Sequence, residues 1–433
     1  MKVFDYTTKT AQEQLRRIMN RGTDYSRKDY RQVEQIIGEV RRNGDRALEK
    51  YTRQFDAPGL KAARLRVTPQ EFKAAGRQVD RQFRHSLARA IRQIETFHQA
   101  QRENSWISTD RPGVVVGQQI TPVDSAGIYV PGARGGETPL VSTVLMGVLP
   151  ARQAGVPRIV MVTPPRKDGS VSPHLLVAAE KTGVTEVYKV GSAWAIAALA
   201  YGTETIPRVD MIAGPGNKYV VLAKKTLSGT VGIDIIAGPS EILIIADQTA
   251  DPRYLAADLL SQAEHDALAS AVLITPVREI ARQTAREVDA QLSALNRQET
   301  AKKALARYGG IFIVDSMETA LTTANRFAPE HLELQVEEPF AMLGRIRNAG
   351  AVFLGRFTPE PIGDYVAGPN HTLPTGGCAR FASALSTSHF LKRTSVVFYS
   401  EAALKAEAPD AIRLAEIEGL GAHANAIRVR LEK

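Results

Sequence analysis

Cysteine is nearly missing: Cys378 is the only one in 433 residues. That excludes an intrachain disulfide and a thiolate metal cluster. Long apolar runs are missing too, and none approaches the roughly 18 to 20 residues a membrane-spanning helix needs. The opening stretch MKVFDYTTKTAQEQLRR has no apolar centre of the kind a secretory signal carries. A cytoplasmic protein without membrane partners is expected. Also lacking are internal repeats, low-complexity tracts, zinc-finger, RNP-type and basic-zipper patterns, and the dinucleotide fingerprint G-x-G-x-x-G. The net charge of +9 would suit nucleic acid, but the basic residues are interleaved with acids along the chain. The densest group, Arg77, Arg81, Arg84, Arg89 and Arg92, reads as the solvated face of an amphipathic helix. No nucleic-acid partner is expected.

Two textures are present. Residues 7 to 104 read as helical almost throughout, with apolar residues recurring at threes and fours. From about Val114, short β-rich runs alternate with helical ones, the signature of parallel βαβ units. GIYVPG, RIVMVTP, VYKVG, DMIAGPG and IDIIAG read as strands of one block, about 129 to 239. EILIIAD, ASAVLITP, GIFIVD and AGAVFLG read as strands of a second, about 240 to 355. The Gly/Pro-rich stretch TPEPIGDYVAGPNHTLPTGG then reads as a long irregular loop, and such loops are usually functional. A short helical and strand-like tail follows.

Five of the eight histidines lie from residue 265 onward, and four of those five have ligand-type or acidic neighbours. LLSQAEHD places Gln262 and His265 three apart, on one face of a helix, where both reach one point. An amide oxygen and an imidazole suit zinc, although surface pairs at this spacing are common. FAPEHLEL sets Glu330 beside His331 after Pro329, which favours a loop or a first helical turn from which both project into a cleft. A carboxylate and an imidazole are the commonest general bases near neutral pH; a helix start with a favourable acid is the competing reading. Asp364 and His371 fall in the glycine-lined loop, and Glu418 and His423 near the chain's end, where a tail can donate a residue to a partner subunit. AGPSEI, with Ser240, reads as a turn after a strand, where open α/β sheets bind ligands.

Taken together, the pieces YVPG, AIAALAYGTE, AGPGNKYV, AGPSE, LLSQAEHD, APEHLEL, GDYVAGPNHTLPT, ARF with FLKRTS, and AHANAIRVR resemble the histidinol dehydrogenase family in order and spacing. The resemblance spans about residues 110 to 430. It implies α/β architecture: two Rossmann-like parallel domains, a helical N-terminal part and a small C-terminal tail domain. The expected division is 1–26 as an N-terminal extension, 27–128 with 240–385 as the domain carrying the metal, 129–239 as the cofactor side, and 386–433 as a tail completing a partner's site. The resemblance further implies one Zn²⁺ per subunit on Gln262, His265, Asp364 and His423, the last from the other subunit of a homodimer with shared active sites. Ser240, Gln262, His265, His331, Asp364, Glu418 and His423 match substrate-binding positions, and Glu330 and His331 the two proton acceptors. Tyr129, Trp194 and Asn217 match cofactor positions. The implied reaction is oxidation of L-histidinol to L-histidine through an aldehyde by two NAD.

Two departures fall on the cofactor side. Trp194 stands where the family usually has glutamine, and an indole cannot both donate and accept as an amide does, although it can stack on a ring. The family's YVPGG is here YVPGARGGETPLVST, with an altered turn over 131–138. The alternative expectation is a relative that keeps zinc and NAD but oxidises another small polar alcohol, such as a sulfonated diol.

Overall fold

The apolar runs of the second half become strands buried on both faces, as all-parallel sheets require. The computed structural model describes residues 1–21, 25–133 and 138–432. They form two compact units, Met1–Gln101 with Asp124–Phe390, and Arg102–Val123 with Leu391–Lys433.

The first unit holds two parallel sheets. One has six strands in the order Val3–Asp5, Gly309–Ile313, Ser270–Thr275, Glu241–Ala246, His331–Gln335, Ala351–Leu354. All six residues of Glu241–Ala246 and of Ser270–Thr275 are buried. Alternation divides them between two cores. Ile242, Ile244 and Leu273 pack with Leu255, Leu259, Ile280 and Ala301 of one helical layer, and Leu243, Ile245 and Val272 with Leu15, Ile18, Leu321 and Ala324 of the other. The second sheet runs Gly232–Ile233, Met211–Ala213, Ser125–Tyr129, Arg158–Thr163, Glu186–Lys189. Its core includes Val160, Val162 and Ile212 against the helices Arg27–Phe55, Ser192–Tyr201 and Lys218–Leu227.

Each sheet reverses its strand order once. In the first, successive strands step outward from Glu241–Ala246 one way, then resume at His331–Gln335 on its other side. In the second, the reversal lies between Ser125–Tyr129 and Met211–Ala213. Such switch points open crevices between neighbouring crossovers.

The smaller unit is built on a nine-residue antiparallel pairing of Val114–Pro122 with Leu391–Tyr399, followed by the helices Glu401–Ile417 and Gly421–Arg428. Residues 102–123, grouped by sequence with the first α/β domain, thus belong with the tail, because a strand is held by its hydrogen-bond partner rather than by its chain neighbours.

Other sequence expectations are also revised. FAPEHLEL is neither a helix start nor a first turn: the helix Met317–Phe327 ends at Ala328 in the left-handed region (φ 53°), and His331 opens a buried strand. Of IDIIAG only Ile233 is in a strand, the two-residue Gly232–Ile233, so the turn of AGPSEI leads into the strand Glu241–Ala246 of the larger sheet instead of following one. The Gly/Pro-rich stretch contains a helix, Glu360–Tyr365, started by Pro359 and Pro361. Arg81, Arg89 and Arg92 are exposed on the helix Arg81–Gln99, whereas Arg84 there is half-buried and Arg77 is exposed on the separate helix Pro69–Gln78. Among the described residues no helix is long and apolar enough to cross a membrane.

Candidate active site

Buried polar residues stand at the amino ends of two adjacent inner strands of the larger sheet. Glu241 opens one and His331 the other, with Ile242 in register with His331. Glu330, just before its strand, accepts the Glu241 N–H through Oε2 at 2.9 Å, and donates its own N–H to Glu241 Oε1 at 3.3 Å. Glu241 Oε1 also accepts the Gly376 N–H at 3.0 Å, and its Oε2 pairs with Arg21 at 2.6 Å, both side chains almost fully buried. This scaffold fixes Glu330 without neutralising it.

His331 Nδ1 lies 3.0 Å from the Glu241 carbonyl oxygen. A carbonyl only accepts, so Nδ1 carries the hydrogen and Nε2 is left with a lone pair. That nitrogen is buried, without a hydrogen-bond partner, 3.6 Å from Glu360 Oε1. His331, Glu360 and Asp364 each offer one ligand-type atom, and these three atoms lie within 4.8 Å of one another.

Gln262 and His265 meet as expected, with Gln262 Nε2 and His265 Nδ1 3.3 Å apart. The helix ends at Ala263, however, and His265 follows it on a turn whose N–H reaches the Gln262 carbonyl. The Oε1 of Gln262 is buried and unpartnered. His371 Nδ1 lies 3.9 Å from Asp364 Oδ1.

The electrostatics follow from burial. Desolvation, with repulsion from Asp364 adding to it, pushes Glu360 up to about 9. It pushes Asp364 up to about 6 against a hydrogen bond from Glu360 that lowers it. Glu330 is raised well above the usual carboxylate range by burial, with the charges of Glu241, Asp364 and Glu360 adding and the Glu241 N–H opposing. Burial lowers His331 to about 3 and His371 to about 4, and the charge of His265 adds to both depressions. The imidazoles are therefore neutral, in the form that binds a metal or accepts a proton.

These features fit a divalent cation. Three buried acceptors, Gln262 Oε1, His331 Nε2 and Glu360 Oε1, lack any donor, and crowded carboxylates in a low dielectric are relieved by positive charge. Nitrogen and oxygen donors without thiolate suit zinc, and also manganese. Ser240 ends the turn before Glu241, its carbonyl accepting from Ser270 N–H at 3.0 Å and from Arg21. Glu418 and His423 belong to the smaller unit, where both line one hollow together with Leu414, Leu420 and Ile427.

The other sheet presents a different arrangement, at the carboxyl ends of its strands. Tyr129 closes one central strand, and its hydroxyl accepts the Ser192 N–H at 3.1 Å. Gly214 follows the neighbouring strand at φ 123°, so close that a Cβ there would stand 2.1 Å from the Tyr129 carbonyl oxygen. Asn217 caps the next helix, its Oδ1 accepting from the Tyr219 and Val220 N–H groups at 3.0 and 3.2 Å. A glycine turn leading into a helix N-terminus at a switch point is where a dinucleotide's phosphates bind. Trp194 is buried instead, stacked on Tyr51 and Phe55, with Nε1 donating to Thr52 Oγ1 at 3.2 Å. Half of the altered turn, Arg134 to Glu137, lies outside the described residues.

Sequence reasoning missed Glu241 and Glu360. Each left a signal: a carboxylate opening a run of apolar strand residues, and a glutamate four residues before Asp364, one helical turn away.

Comparison with known proteins agrees. The family model for histidinol dehydrogenase matches residues 19–431. A histidinol dehydrogenase of Desulfotalea psychrophila is 54% identical over 400 residues, covering 92% of each chain. That of Halalkalibacterium halodurans is 50% identical over 418 residues, covering 96% of this chain and 97% of its own. The crystal structure of histidinol dehydrogenase from Elizabethkingia anophelis superposes with a TM-score of 0.93 at 38% identity, over 100% of this chain and 98% of that one. The chain belongs to the histidinol dehydrogenase family.

Proposed function

We propose that the protein oxidises L-histidinol to L-histidine in two NAD-linked steps, at a zinc centre held by Gln262, His265 and Asp364 with His423 of a second copy of the chain. The observation that carries this reading is the buried, unpartnered Nε2 of a neutral His331 beside Glu330. When bound, zinc supplies a Lewis acid that orients the substrate and withdraws its electron density. The nicotinamide, when bound, takes up hydride in each oxidation.

The protein's own residues handle the protons. In the first step His331 Nε2 accepts the alcohol proton, its tautomer set by the Glu241 carbonyl. In the second, Glu330 removes a proton from water as it attacks the aldehyde, giving a diol whose oxidation yields the carboxylate. Its raised pKa makes the ionised form a stronger base than an exposed carboxylate. Ser240 and Glu418 contact the substrate, while Tyr129 and Asn217 hold the cofactor. Trp194 supports that side from behind, through its stack with Tyr51 and Phe55.

The homodimer draws support from the smaller unit, where Leu414, Ile417 and Val429 are exposed near the hollow lined by Glu418 and His423. A helix pair with such a surface suits a subunit contact. The cytoplasm is the compartment proposed for this small-molecule chemistry.

The test is to follow NADH formation with limiting L-histidinol before chelation, after it, and after zinc is restored. Two NADH per substrate are expected, with activity lost on chelation and regained with zinc. One NADH per substrate, or turnover indifferent to chelation, overturns the reading.

A further inference from the structure

The ARF segment carries Arg380, which the chemistry above leaves unused. Arg380 lines a cleft of about 640 Å³ in the larger unit, beside the helix Met317–Phe327 and the segment Gly344–Asn348. Arg326, Arg345 and Arg347 line it too, against a single carboxylate, Glu318. Arg345 pairs with Glu318. Arg380 donates only to backbone carbonyls, those of Gly377 at 3.0 Å and of Arg326, so its charge is not neutralised. The guanidinium groups of Arg326 and Arg347 have no partner among the described residues.

The wall carrying these arginines is held in place. Asn325 Oδ1 accepts the Arg347 N–H at 2.7 Å, its Nδ2 donates to the Arg345 carbonyl at 2.9 Å, and Asn348 Nδ2 returns a bond to the Asn325 carbonyl at 3.0 Å. The backbone bearing the guanidinium groups is therefore pre-set against the helix, which lowers the ordering cost of binding.

We propose that this cleft binds a small polyanion with two or more phosphoryl groups, at a site separate from the Glu330–His331 centre. Planar guanidinium forks match phosphoryl oxygens in bidentate geometry, and uncompensated positive charge in a concavity focuses the field on its occupant. The volume is that of a small-molecule site. A concave cluster, rather than a basic stripe along a surface, selects a compact anion over extended nucleic acid.

The experiment is calorimetric titration with inorganic pyrophosphate of the zinc-loaded protein in its native oligomeric state. Saturating NADH and L-histidine are included to fill the redox centre. One saturable site per chain is expected, weakening as salt rises. The double variant Arg326→Ala/Arg347→Ala should bind about tenfold or more weakly, since a hydrogen bond to a charged group commonly carries that much. Its kcat on L-histidinol should stay unchanged. Glu318→Gln should bind several-fold more tightly, because it removes the one opposing charge. No saturable heat in the parent protein, or an affinity indifferent to both changes, overturns the proposal.

Discussion

The two parallel sheets of the larger unit present opposite ends with opposite chemistry. The six-stranded sheet buries charge at the amino ends of two adjacent inner strands: Glu241, Glu330 and His331, with Glu360 and Asp364 beside them. The five-stranded sheet presents backbone at the carboxyl ends of its strands: the Gly214 turn, the helix capped by Asn217 and the Tyr129 carbonyl. Buried charge at the first place is costly unless a cation and a substrate complete it, as proposed, and function is read there from side chains whose partners are missing. At the second place the backbone comes close enough to receive the proposed cofactor, and Trp194 behind it is core. One sheet is costly and chemical, the other stable and permissive.

If that contrast holds, substitutions on the two sheets should differ in kind. The largest effect is expected from Glu330→Gln, which should cut the aldehyde-to-acid step by about a thousandfold, within the range for loss of a positioned base. Stopped-flow NADH traces with the alcohol and with the aldehyde supplied separately should show the second step hit hardest; an unaltered aldehyde step would remove Glu330 from its role. Next, Arg21→Met leaves Glu241 buried without its ion pair and should cost about 3 to 5 kcal/mol in denaturant unfolding. A loss under about 1 kcal/mol would mean that Glu241 does not depend on Arg21.

On the second sheet, Trp194→Gln should behave as a core lesion, lowering stability by about 3 kcal/mol and leaving the KM for NAD within a few-fold. A large fall in that KM at full stability would instead put position 194 in contact with cofactor. The smallest effect concerns Asp56, whose carboxyl burial raises to about 7 and whose Oδ2 has no partner. Its folded-state pKa exceeds that of the unfolded chain, so the folded form binds more protons between about pH 4 and 7 and stability falls as pH rises through that window. Asp56→Asn should therefore stabilise the protein at pH 8 and change little at pH 4, measured by unfolding at both. Equal shifts at both pH values would contradict the assignment.

Much of this was legible beforehand, for identifiable reasons. EILIIAD and ASAVLITP announce strands covered on both faces because a short, nearly continuous apolar run bounded by polar residues is what such a strand requires. Gln262 with His265, and Glu330 with His331, are sequence neighbours, so local spacing revealed them. Glu360 stayed hidden because Pro359 and Pro361 read as loop, although proline at a helix start is favourable. His331 was misplaced because a buried strand of HLELQ breaks apolar alternation with residues held for chemistry. The pairing of Val114–Pro122 with Leu391–Tyr399 joins segments more than 260 residues apart, a separation that local pattern cannot bridge.

The central claim is that Gln262, His265 and Asp364 are arranged around one divalent cation. Equilibrium dialysis against buffered zinc, with metal content measured for the parent chain and for Asp364→Asn, tests it most directly. One zinc per chain, bound about 10- to 100-fold more weakly by the variant, is the expected result. A chain that binds no zinc, or a variant that binds it as tightly as the parent, would contradict the account.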